Sequence, residues 1–148
     1  MRLQKNSLLA LFGVLEFAAR PGELVPASEV AEKYGESAHD LAKVLSELAR
    51  AGIVESVRGV GGSYRFTANV RRLTLLDVIR LFEGLDPTPP ASSERETAVD
   101  RALGQMLAEI DQTTLATFGS ITVATMLKWV ERVAVGAPDP ETRTDNAR

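Results

Sequence analysis

The stretch Val57–Arg65 limits what this chain can fold into more than any other. It reads Val-Arg-Gly-Val-Gly-Gly-Ser-Tyr-Arg. Upstream, Ser37–Ala51 has the apolar spacing of a helix and is closed by Gly52. Downstream, Ser63–Thr67 reads as a short strand. Helix, strand, glycine-rich basic hairpin and strand, in that order, are the parts of a winged helix-turn-helix. Glycines allow a hairpin tip to turn through positive φ and bring its backbone close to a partner. Arginines there supply phosphate or minor-groove contacts. The leading expectation is nucleic-acid binding.

The flanking pattern fits. Leu8, Leu11, Phe12, Leu15 and Ala19 recur at helical spacing, so a first helix is expected over Ser7–Arg20, stopped by Pro21-Gly22. A second runs from about Ala27 to Tyr34, with Pro26 at its start and Gly35 at its end. Ser37 caps a third, with Asp40 in the manner of a capping box and a stripe of Leu41, Val44, Leu45 and Leu48. The turn between the second and third helices is very short. Wing strands follow at Ile53–Val57 and Ser63–Thr67. Thr74 and Asp77 open a helix through Phe82.

Ser93 and Glu96 are expected to open a long helix from Glu94 to Ala116. Along it Val99, Leu103, Met106 and Ile110 step by four, three and four, which is the narrow seam of a helix packed on a partner helix. Ile121–Val133 reads as a last helix. The fold class is therefore mainly α with a small two-stranded β-wing. The expected divisions are residues 1–84 as the DNA-binding domain and 85–93 as a linker. Residues 94–135 would hold the dimerisation helix and last helix, and 136–148 a disordered tail.

Composition narrows the chemistry. The 148 residues contain no cysteine and one histidine. Disulfides, thiolate redox chemistry and thiolate-held metal are thereby excluded, and no metal ligands are assigned. No apolar run reaches the roughly 18 residues a membrane span needs. The basic N-terminus reads as part of the first helix and not as a signal peptide, so a cytoplasmic location is expected. The net charge of −3 is uneven. Residues 1–72 hold ten Lys and Arg against eight Asp and Glu, whereas residues 73–148 hold seven against twelve. The basic excess lies with the wing, where a local footprint matters more than the global sum. No nucleophile–base pair or phosphate-binding glycine loop points to an enzyme.

Several segments resemble the Rrf-two (Rrf2) family of bacterial winged-helix transcription regulators, which includes iron–sulfur, nitric-oxide-sensing and cysteine-metabolism types. Leu48–Arg65 is similar to the family wing almost residue for residue. Met1-Arg2-Leu3 with Ala10-Leu11, Leu73–Ile79 and Ile121-Thr122-Val123 support the likeness, which covers most of residues 1–133. The resemblance implies a homodimeric, palindrome-binding regulator, here read as a repressor. Many members hold an iron–sulfur cluster on three cysteines in the region matching Leu85–Ala102. That region has none here, and Leu8 stands where some members place a carboxylate ligand. No cofactor is therefore expected. Control would come from a small-molecule effector lodged between head and dimer helix, or from a protein partner that occludes the DNA face.

On this reading the DNA-binding candidates are Arg2, Lys5, Ser37, His39, Asp40, Lys43, Arg58, Gly59, Gly61, Gly62, Tyr64 and Arg65. Arg58 is the leading one, because a thin glycine tip can enter a minor groove about 6 Å wide. The family's early basic pattern is lost at Asn6–Leu9, which leaves Arg2 and Lys5 for phosphate. Ser37, His39, Asp40 and Lys43 lie on the first turns of the recognition helix. Asp40 can accept from cytosine or serve as a helix cap. His39 reads as a DNA-facing polar residue. Tyr64 either contacts phosphate or packs under the wing. The seam Val99, Leu103, Met106 and Ile110 is expected at the dimer interface, the alternative being an intramolecular core. The rival to a DNA-binding regulator is a winged helix used only for protein–protein interaction.

Overall fold

A computed structural model describes residues 2–57, 62–85 and 96–136. Helix α1 spans Lys5–Ala18 and buries Ser7, Leu9, Ala10, Gly13, Val14, Phe17 and Ala18, a face repeating every three to four residues. Strand β1, Val25–Pro26, leads directly into α2, Ala27–Lys33. Gly35, at φ +64°, reverses the chain. The Glu36 N–H then donates to the Ala31 carbonyl (2.9 Å), and that of Gly35 to the Glu32 carbonyl (3.2 Å), closing α2 in a Schellman motif. Helix α3, Ala38–Arg50, begins immediately after and buries Leu41, Val44, Leu45 and Leu48. Gly52, at φ +77°, ends it in the same way, with the Ile53 N–H on the Leu48 carbonyl at 3.0 Å.

Strands β2 (Val54–Val57) and β3 (Ser63–Phe66) pair antiparallel in the register Val54↔Phe66, Glu55↔Arg65, Ser56↔Tyr64 and Val57↔Ser63. The wing is not limited to these two strands. β1 pairs with β3 through Val25↔Tyr64 and Pro26↔Ser63, giving a three-stranded sheet in the order β1-β3-β2. Pro26 sits on the outer strand, where its missing N–H does little harm.

Helix α4, Leu75–Ile79, is opened by a capping box in which Thr74 and Asp77 bond each other's backbone N–H. It is shorter than the expected run to Phe82, since residues after Ile79 continue as turns. The long helix also differs from expectation. Helix α5 spans Ala98–Ser120, so it starts and ends later than Glu94–Ala116. Its capping box is formed by Thr97 and Asp100, not Ser93 and Glu96. Ser93 and the expected linker beyond Leu85 lie outside the described residues. Helix α6, Val123–Gly136, runs three residues past the expected end, and residues 137–148 lie outside the described residues.

The core is one cluster. Val14 and Phe17 of α1 meet Leu41, Val44, Leu45 and Leu48 of α3, Val25 and Val54 of the sheet, Val78 of α4 and Val123 of α6. The α5–α6 corner is fastened to the head by main-chain bonds. The Leu75 N–H donates to the Ile121 carbonyl (2.9 Å), Val123 to Leu73 (2.8 Å) and Ala124 to Val70 (2.9 Å). Gly119 lets α5 approach α4: a Cβ there would meet Leu76 Cδ2 at 3.2 Å.

Candidate nucleic-acid interface

Helix α3 divides its side chains between two environments. Leu41, Val44, Leu45 and Leu48 are fully buried against α1 and the sheet. Ser37, Ala38, His39, Lys43, Ser46 and Arg50 are exposed on the outer side. Ser37 Oγ accepts from the Asp40 N–H at 3.0 Å, which satisfies one free donor of the helix start and fixes the first turn. The reciprocal half of the box does not form. The Asp40 carboxylate turns to Lys5, whose Nζ donates to Oδ2 at 3.3 Å.

Lys5 therefore has neighbours the sequence did not reveal. It also pairs with Glu36 at 3.0 Å. Both carboxylates push its ammonium pKa above the ordinary value, first through the hydrogen bond to Glu36 and then through that to Asp40. Arg2 is exposed.

In the wing, alternation along β3 separates two roles. Tyr64 and Phe66 face inward: Phe66 is buried, and the Tyr64 ring lies 6.1 Å from that of Phe17 at a tilt of 51°. Tyr64 thus packs under the wing. Arg65 points outward and binds Glu55 directly across the ladder, with Nε on Oε1 at 3.0 Å. Gly62 has φ +65°, and its carbonyl accepts from the Ala27 N–H at 3.1 Å. Arg58, Gly59 and Gly61 lie outside the described residues. An open groove of about 370 Å³ runs beside α3, lined by Asn6, Lys43, Val44, Ser46, Glu47 and Phe82. Asn6, Ser46 and Glu47 are not among the binding candidates drawn from the sequence, and no motif marks them.

The face of α5 is bare. None of its residues is buried, and Val99, Leu103, Met106 and Ile110 are 53–67% exposed. Leu107 joins them, and Trp129, Val130 and Val133 of α6 are also exposed. An isolated protein rarely leaves so many large apolar side chains in water.

A helix-turn-helix with a β-wing and a long projecting helix defines the class: a winged-helix transcription regulator. Comparison with known proteins gives the family. The Rrf2 profile, described as iron-dependent transcriptional regulator, matches residues 3–128. A Rhodopseudomonas palustris protein named as the HTH-type transcriptional regulator BadM is 47% identical over 133 residues, 88% of this chain and 84% of that protein. The chain belongs to the Rrf2 family. Among solved structures it is similar to T. potens IscR (26% identical, TM-score 0.66, 90% of each chain). It also shares the fold of oxidised Staphylococcus aureus CymR (22% identical, TM-score 0.74), over 86% of this chain and 97% of that one.

The family description implies iron. The donor set here does not fit a thiolate-held cluster, since the chain has no cysteine and His39 is its one histidine. Among the described residues, no three His, Cys, Asp or Glu side chains gather as metal ligands. No helix among them is long and apolar enough to cross a membrane.

Proposed function

We propose that this protein is a homodimeric, sequence-specific repressor that binds a palindromic operator without an iron–sulfur cluster. The observation that carries the reading is the two-sided character of α3. Its apolar stripe is spent on the core, while Ser37, His39 and Lys43 remain exposed beside the wing. Such a helix is free to enter a major groove with its N-terminal turns, while the wing tip with Arg58 reaches the adjacent minor groove. Two-fold pairing through the bare seam of α5 would present two such heads to a palindrome. With no cluster to sense, control falls to a small molecule or a protein partner.

Nuclease footprinting on the DNA upstream of its own gene tests this. Protection of two symmetric half-sites separated by whole helical turns is expected. A uniform or absent footprint at low salt would favour the second reading, a winged helix that binds only proteins. That reading draws on the pairing of Lys5 and Arg65 with carboxylates.

A further inference from the structure

We propose that Asp40 is a specificity-determining side chain of α3, accepting a hydrogen bond from the exocyclic amino group of a cytosine, and that Lys5 positions it. This inference rests on the DNA-binding reading above.

Among the described residues, three helices begin with the same hydroxyl-x-x-Asp pattern, and two of them use it fully. Thr74 N–H donates to Asp77 Oδ2 at 3.0 Å, and Thr97 N–H to Asp100 Oδ2 at 2.9 Å. In α3 the hydroxyl half forms but the carboxylate half does not. Asp40 has been drawn out of its local capping role by Lys5, 35 positions away in sequence. Its side chain remains 41% exposed. Lys5 takes Oδ2, and among the described residues no donor reaches Oδ1.

A carboxylate beside DNA is repelled by phosphates, so its presence on a groove-facing turn calls for a compensating donor. Lys5 supplies one and fixes the orientation of the group. The remaining oxygen can only accept. In the major groove, cytosine offers an isolated amino donor, whereas guanine and thymine present carbonyl acceptors that would repel it. Adenine pairs its amino group with the N7 acceptor, which also opposes a carboxylate. Lys5 is held between Glu36 and Asp40, so its charge is already offset by two carboxylates and has little left for phosphate.

The test measures affinity for the operator and for symmetric single-base variants, at several salt concentrations. Wild type, Asp40→Ala, Lys5→Ala and Lys5→Arg are compared, with thermal melts confirming that each is folded. Wild type should favour C·G at one position in each half-site by about 5-fold to 100-fold. Asp40→Ala should lose that preference. Lys5→Ala should relax the same position without changing the salt slope, and Lys5→Arg should restore it. A uniform affinity loss in Lys5→Ala, with the salt slope reduced by about one, would make Lys5 a phosphate contact and overturn the proposal. So would an unchanged preference in Asp40→Ala. If wild type binds no DNA at all, the underlying reading has failed, and the variants are not needed to see it.

Discussion

The Tyr34 hydroxyl donates to Glu16 Oε1 at 2.6 Å, joining the end of α2 to the last turn of α1. Lys33 binds the same oxygen, and the Phe12 ring stacks on Tyr34 at 4.5 Å with the planes 4° apart. This cluster ties the end of α2 to α1 through side chains alone. Because a charged acceptor strengthens the bond, Tyr34→Phe should lower unfolding free energy by about 1.5–3 kcal/mol in urea titration.

The same pair makes a pH prediction on both sides of neutrality. Burial and the Glu16 hydrogen bond push the Tyr34 hydroxyl up from 10.0 to about 12. Its contribution is present in full below pH 10 and is lost as pH climbs toward 12. Burial pushes the Glu16 carboxyl up, but the hydrogen bonds from Lys33 and Tyr34 outweigh it and leave the group below its ordinary 4.5. Its contribution is therefore present above pH 4.5 and fades as pH falls. In a Tyr64→Phe variant, tyrosinate absorbance should rise near pH 12, because Tyr34 is then the one tyrosine left. A midpoint at the ordinary value would contradict the Glu16 bond.

Glu83 closes the start of α1 from a distance. Its Oε1 accepts from the Gln4 N–H at 2.7 Å and from the buried Ser7 hydroxyl at 2.8 Å. Glu83→Ala strands a hydroxyl that has no access to water, and a loss of about 1–3 kcal/mol is expected from denaturant melts. Ser7→Ala removes the buried group itself and should cost less.

The junction at Gly119 is tight. Adding a Cβ there puts it 3.2 Å from Leu76 Cδ2. For Gly119→Ala, the gain in helix propensity, up to about 1 kcal/mol, offsets the crowding. Gly119→Val overpacks the α4–α5 contact and should destabilise by about 1–3 kcal/mol. Equal melting temperatures for the two variants would argue against the contact.

Ile110→Asp places a charge in the exposed seam of α5. Under the proposed pairing, sedimentation should report a dimer for the wild type and a monomer for this variant, with the head still folded. Persistence of the dimer would move the interface elsewhere.

Arg58→Ala should weaken operator binding by about 1–3 kcal/mol if this side chain reads the minor groove. Titration by fluorescence at fixed salt measures it.

Much of the fold could be read from spacing and punctuation. The stripe Leu41, Val44, Leu45 and Leu48 and the reversals at Gly35 and Gly52 follow from local chemistry. Other features depend on tertiary context. Val25–Pro26 is too short to show alternation, and only the neighbouring β3 makes it a strand. Ser93 with Glu96 and Thr97 with Asp100 offer the same helix-start pattern, and nothing local chooses between them. The pairing of Lys5 with Asp40 links residues 35 apart, so sequence leaves Lys5 looking like a free cation. Tyr64 could have faced either way, and its contact with Phe17 turns it inward. The bareness of α5 shows only once its neighbours are in place.

The most direct test of the account is fluorescence anisotropy of the purified protein with its own upstream DNA and with a scrambled sequence, at two salt concentrations. Tight binding to the first alone, weakening steeply as salt rises, is predicted without added iron. Equal, weak binding to both sequences at the lower salt concentration would contradict a cluster-free DNA-binding regulator.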